Sequence, residues 1–207
     1  MAVSNRYLGI DPGLGRTGYA LVERTGRGPL LREGGVIQTK TDQPLHLRLG
    51  EIAREMREIL NELKPGAVGI EQVFSHARNV RSSLLLAHAR GAILATVAEQ
   101  AVPLVQYSPT QIKQMLTGSG RAGKEQMQHA VRAELRLAEI PEPHDVADAA
   151  AVALCLFHSL RFAAGSARGT NTSRKQGPSV VGLPVDPAIC HNTGADSCTI
   201  FHSDDSR

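Results

Sequence analysis

Four carboxylates in this chain occupy positions where a carboxylate is costly. Asp11 closes the short apolar run Tyr7-Leu8-Gly9-Ile10, and Glu71 closes Ala67-Val68-Gly69-Ile70. Asp145 and Asp148 stand three apart at the head of a segment rich in Ala, Val and Leu. A helix there presents both on one face. An ionised group in apolar surroundings needs a partner. If the four acids converge, they repel one another unless a cation holds them. The cation that suits hard oxygen ligands and leaves room for a phosphate is Mg²⁺ or Mn²⁺. Each acid also has a plainer use. Asp145 could be a helix N-cap, with a second acid in the first turn favoured by the helix dipole. Asp11, before Pro12-Gly13, could be a turn residue. Glu71 is harder to explain so, because the strand before it is continuously apolar. Together the acids indicate a metal site without fixing its chemistry.

The elements that must hold these residues follow from the apolar period. Tyr7 to Ile10, Gly18 to Val22 and Val36 to Thr39 are short runs joined by short connections, which suggests an antiparallel meander. Leu49, Ile52, Met56, Ile59 and Leu63 step at helical spacing, and Lys64-Pro65-Gly66 stops them. Ala67 to Glu71 is a strand. A long helix spans about Ser82 to Gln100, a strand Pro103 to Tyr107, and a helix begins at Ser108-Pro109. Further helices start at Lys124 and run from about Asp145 to Phe162. The order β-β-β-α-β-α-β-α-α-α predicts an α/β fold: a mixed five-stranded sheet with helices on both faces.

Composition narrows the setting. The chain has 207 residues, 42% apolar and 21% charged, enough for one ordinary domain plus a tail. With no Trp, four Phe and three Tyr, the core must be aliphatic. There is no apolar run of membrane-spanning length and no signal-like N-terminus, and three cysteines at unrelated spacings make no disulfide framework. A cytoplasmic protein is expected. Residues 1–164 read as the folded domain and carry the whole net charge of +3. From Gly165 to Arg207, 20 of 43 residues are Gly, Pro, Ser, Thr or Asn, and the four basic and four acidic side chains cancel. That stretch reads as a disordered C-terminal tail, and the spacing of Cys190-His191, Cys198 and His202 is wrong for zinc.

Gly118 to Lys124 follows the phosphate-loop pattern of NTPases up to its last position, where Glu125 replaces the required Ser or Thr. The segment before it reads as helix rather than strand. Both features count against an NTPase. Its glycine amides, with Arg121 and Lys124 beside a helix start, could still meet a phosphate.

Several blocks now stand together: Leu8-Gly9-Ile10-Asp11-Pro12-Gly13 with Thr17-Gly18-Tyr19, Ile70-Glu71-Gln72-Val73-Phe74, Ala89-Arg90-Gly91, Gln111 to Gln114, Gly123 to Gln128, and Asp145-Val146-Ala147-Asp148-Ala149. In this order they resemble the RuvC family of Holliday-junction resolvases over about residues 6–160. Actin-like ATPases open similarly but need a second large domain that this length cannot supply. The resemblance implies an RNase H-like fold, a homodimer, four-way junction DNA as substrate, and RuvA and RuvB as partners. It implies catalysis and metal binding by Asp11, Glu71, Asp145 and Asp148, the last pair including a position where some relatives carry His. Lys113 and Lys124 match family lysines near the scissile phosphate. His144 is a possible helper, with a core or capping role as the plainer reading. Leu14-Gly15-Arg16 matches loosely and receives no role.

Hydrolysis of a phosphodiester at neutral pH is served by two metals, one activating water and one stabilising the leaving oxygen. Two Mg²⁺ or Mn²⁺ ions per site are therefore expected, with Asp11 between them. Arg78, Asn79 and Arg81, just past Glu71, read as a grip on the DNA backbone or as a solvated basic loop. Phe74 could stack on an unpaired base or pack on the helix after Ser82. Competing readings are an RNase H-type enzyme cutting hybrids and a non-catalytic DNA-binding module.

Overall fold

The computed structural model describes residues 5–73 and 80–166. Its elements are β1 (Arg6–Asp11), β2 (Arg16–Thr25), β3 (Gly28–Gln38), α1 (Leu45–Leu63), β4 (Ala67–Glu71), α2 (Val80–Glu99), β5 (Leu104–Tyr107), α3 (Pro109–Thr117), α4 (Lys124–Leu135) and α5 (His144–Ser166). The order is the one the apolar period predicts. The strands form one five-stranded sheet in the order β3-β2-β1-β4-β5. β1, β2 and β3 are antiparallel neighbours, whereas β1, β4 and β5 run parallel. The sheet is therefore mixed, as expected.

Both faces are covered, each by its own apolar cluster. Leu8, Ile10, Val68 and Ile70 point towards α1 and α2, where Ile52, Met56, Leu60, Ile93 and Val97 meet them. Tyr7, Ala67, Val105 and Tyr107 point the other way, against α5. Side chains alternate along a strand, so Asp11 shares the face of Tyr7 and Glu71 shares the face of Ala67. This parity alone aims both acids at the α5 side.

α5 lies between the sheet and the pair α3 and α4, and every residue from Ala149 to Phe157 is buried. Its backbone rests directly on the strands. A Cβ on Gly9 would stand 2.1 Å from Ala149 O, and one on Gly18 would stand 2.1 Å from Asp145 O. Only glycine permits this approach at either position.

Some boundaries differ from expectation. β3 is 11 residues long, far beyond Val36 to Gln38, because an edge strand with Arg32, Glu33, Gly34 and Gly35 has no alternating apolar pattern to read. α1 starts at Leu45 rather than Leu49, and α5 runs to Ser166 rather than Phe162. Phe74, Arg78, Asn79 and residues 167–207, including Cys190, His191, Cys198 and His202, lie outside the described residues. No described helix is long and apolar enough to cross a membrane.

Candidate active site

The carboxyl ends of β1 and β4 lie side by side, so Asp11 and Glu71 are neighbours at one edge of the sheet. α5 brings Asp148 over them. Asp11, Glu71 and Asp148 line a cleft of about 320 Å³, closed on its far side by Pro109, Ile112 and Lys113 of α3, and by Lys124 and Met127 of α4. A second hollow of about 200 Å³ adjoins Asp11 and Glu71 and reaches Gln72, Val73 and Leu86. All three acids are half-buried.

The electrostatics are those of a crowded acidic cluster. Burial first, and then Glu71, Asp148 and Asp145, push the Asp11 carboxyl up to about 7. Burial and Asp148 raise Glu71, with Lys113 opposing. Burial and Asp145 raise Asp148, with Lys124 and His144 opposing. Lys124 Nζ stands 4.0 Å from Asp148 Oδ2. Lys124 is also the first residue of α4, where the helix dipole disfavours a cation. Its placement there is offset by the acids across the cleft.

Asp145 departs from the other three. It does not line the cleft, and Arg16 Nε donates to its Oδ2 at 2.9 Å. Among the described residues no three His, Cys, Asp or Glu side chains are close enough together to hold a metal as they stand. The donor set nonetheless fits a divalent cation. It is all hard carboxylate oxygen, it opens on a cleft, and burial, with mutual repulsion added to it, holds the carboxyls of Asp11, Glu71 and Asp148 above their usual range.

The site rests on side chains that received no role above. Thr17, fully buried, donates through Oγ1 to Gly13 O at 2.6 Å and accepts from Gly13 N, which fixes the turn after Asp11. Arg90 Nε donates to Glu71 O at 3.2 Å, and its Nη2 donates to Gln106 Oε1, so one guanidinium ties the ends of β4 and β5 together. Thr17 and Arg90 sit in motifs quoted above; Arg16 stands in the loosely matched stretch that received no role, and its partner is 129 residues away.

The remaining expected residues fall around this centre. Arg81 is exposed in the first turn of α2 and Arg121 is exposed in the α3–α4 loop, and neither lines the cleft. His144 is exposed rather than in the core; it opens α5, and its Nδ1 lies 3.0 Å from Gln128 Nε2. The loop resembling a phosphate loop follows helix α3, whose C-cap Gly118 is left-handed, and so lacks the strand-to-helix context of an NTPase.

Residues 7–156 match the family model described as crossover junction endodeoxyribonuclease RuvC. A relative of that name from Rhodopirellula baltica is 45% identical over 148 residues, 72% of this chain and 83% of the relative. The solved Thermus thermophilus RuvC has a TM-score of 0.70 at 35% identity, covering 76% of this chain and 96% of that one. The T. thermophilus RuvC structure in complex with a Holliday junction substrate matches with the same TM-score at 34% identity.

Proposed function

The chain belongs to the crossover junction endodeoxyribonuclease RuvC family, and from that we propose that it resolves four-way DNA junctions by paired symmetric nicks. It is a metal-dependent nuclease with the RNase H-like resolvase fold. The observation that carries the reading is the cleft in which Asp11, Glu71 and Asp148 face Lys113 and Lys124. Acids without cations could hold metal but would repel DNA. Lysines alone would bind DNA and do nothing to it.

Asp11, Glu71, Asp145 and Asp148 are the residues we assign to hold two Mg²⁺ or Mn²⁺ ions, with Asp11 central because it feels all three others. Bound there, such ions supply a nucleophile at neutral pH and stabilise charge on the leaving oxygen. Lys113 and Lys124 neutralise the scissile phosphate as its charge grows. Pro109 and Ile112 form an apolar wall that limits water on that side. Arg90 and Thr17 hold the two strand ends still, so that Asp11 and Glu71 keep their spacing.

Paired nicks in strands of like polarity require two sites related by a two-fold axis. We assign the dimer contact to α2. Val80, Leu84, Ala87, Gly91, Ala95 and Ala98 recur at helical spacing and are all exposed, opposite the buried Ala89, Ile93 and Val97. A self-complementary stripe with Gly and Ala at its middle lets two helices approach closely, so a second copy of this chain is the occupant. Leu84→Glu and Ala95→Glu should shift the chain to monomer in sedimentation and uncouple the two nicks. A variant that remains dimeric would place the contact elsewhere. RuvA and RuvB remain proposed partners on the resemblance alone.

The direct test is a synthetic four-way junction incubated with the full chain, with and without Mg²⁺ or Mn²⁺. Nicks symmetric about the crossover, absent in EDTA, are expected. Faster cleavage of an RNA–DNA hybrid, or binding without cleavage, would refute the assignment. The family match ends at residue 156, so a chain ending at Ser166 should nick at the same rate. A large loss would make residues 167–207 part of the working enzyme.

A further inference from the structure

Asp145 and Arg16, which lie beside the cleft rather than in its lining, are joined by a 2.9 Å ion pair between β2 and the first turn of α5. The pair is well placed by its surroundings. Gly18, two residues beyond Arg16, seats the Asp145 backbone against β2, and Thr17 pins the turn that Arg16 follows. It is also weakly held, since the side chains of Arg16 and Asp145 are 45% and 27% exposed. Lys113 and Lys124 serve Glu71 and Asp148 on the opposite wall, which leaves Arg16 as the cation bound to Asp145.

We propose that Arg16 is a latch on Asp145, a positioning residue that occupies this carboxylate in the metal-free enzyme and releases it when a DNA phosphate takes the guanidinium. The proposal rests on the reading of Asp145 as a metal ligand. A guanidinium and a divalent cation compete for the same carboxylate oxygens. A solvent-exposed ion pair is weak enough to exchange. The planar fork of arginine suits phosphate oxygens at least as well as one carboxylate, so a DNA backbone at the cleft mouth draws Arg16 away. Metal and DNA then tighten each other's binding by one common factor. The consequence is an enzyme whose metal site fills a few-fold more readily on substrate.

Two measurements without turnover test this. In the first, Mn²⁺ binding to the DNA-free full chain is followed by the electron paramagnetic resonance signal of free Mn²⁺. Arg16→Gln should bind Mn²⁺ about two- to five-fold more tightly than wild type, the range expected for loss of an exposed competing pair. Arg16→Lys, which keeps the charge without the fork, should fall between them. In an Asp145→Asn background the Arg16→Gln change should have no effect. In the second, junction affinity is measured by anisotropy in EDTA. Arg16→Gln should bind more weakly with a salt slope shallower by about one, whereas Asp145→Asn, which frees Arg16, should bind more tightly. Unchanged or weaker Mn²⁺ binding by Arg16→Gln overturns the latch, as does an effect that persists without Asp145. If Asp145→Asn alone leaves Mn²⁺ binding intact, the ligand assignment of Asp145 fails first and the latch with it.

Discussion

Asp11→Asn should lower junction nicking by at least about 10²-fold, since on the proposed assignment it removes a metal ligand and with it several kcal/mol of transition-state stabilisation. The same substitution should make the metal-free protein more stable. These opposite signs follow from one fact. The Asp11 carboxyl is pushed up to about 7 by burial and by Glu71, Asp148 and Asp145, against an ordinary value near 3.9 in the unfolded chain. The fold thus favours the protonated form. Below about pH 4 the group is neutral in both states and exacts no penalty. Between about pH 4 and 7 the unfolded chain ionises while the folded protein keeps the proton, so stability falls, by roughly 2–4 kcal/mol in all once the folded group also ionises. In EDTA the wild-type thermal midpoint should therefore rise as pH is lowered from 8 to 5.5. Asp11→Asn should start high at pH 8 and lose most of this dependence. Differential scanning calorimetry at the two pH values, with a junction assay in Mg²⁺ alongside, checks both halves. A variant that nicks within tenfold of wild type would remove Asp11 from the site. A variant that is less stable in EDTA would show that the cluster is held by something other than tolerated repulsion.

Two of the proposed site residues were legible in the sequence because they break a local rule. Asp11 and Glu71 interrupt apolar runs, and strand parity then fixes the face they share. Lys113 and Lys124 were legible only through the family blocks that contain them. The element order was legible too, since its members carry period or punctuation, such as Ser108 before Pro109, which caps α3 with Gln111 in a reciprocal box. The edge strand β3 was short in the reading because Arg32 and Glu33 face solvent and Gly34 and Gly35, packed against Val146 and Tyr19, carry no side chain to read. Arg16, in a loosely matched stretch, received no role for a different reason. Its meaning lies in Asp145, and pairing across most of a chain leaves no mark on either neighbourhood. Arg90 was visible as part of a motif, but its hold on the ends of β4 and β5 is a property of packing.

Gly9→Ala should damage both stability and catalysis, although residue 9 never touches substrate. The methyl it adds has nowhere to go: its position lies 2.1 Å from Ala149 O and 2.3 Å from Ala153 N, both backbone atoms of α5. Neither can rotate aside, so the helix itself must lift from the sheet. Overpacking of this kind costs about 1–3 kcal/mol, and more where backbone must move. Ala149 follows Asp148 directly, so the lift carries Asp148 away from Asp11 and Glu71, which stay with the sheet. A misplacement near 1 Å can cost about 10²-fold in rate. Nicking by Gly9→Ala should therefore fall by about that factor at a temperature where calorimetry shows the protein folded, and Mn²⁺ should bind more weakly. Gly50→Ala supplies the control of opposite sign. It lies within α1, exposed, with nothing within 4 Å of the added atom, so the gain in helix propensity should stabilise by about 0.5–1 kcal/mol and leave nicking unchanged. If Gly9→Ala loses stability but cuts normally when folded, the seating of α5 on β1 sets only the strength of the core, and the spacing of the carboxylates has another keeper.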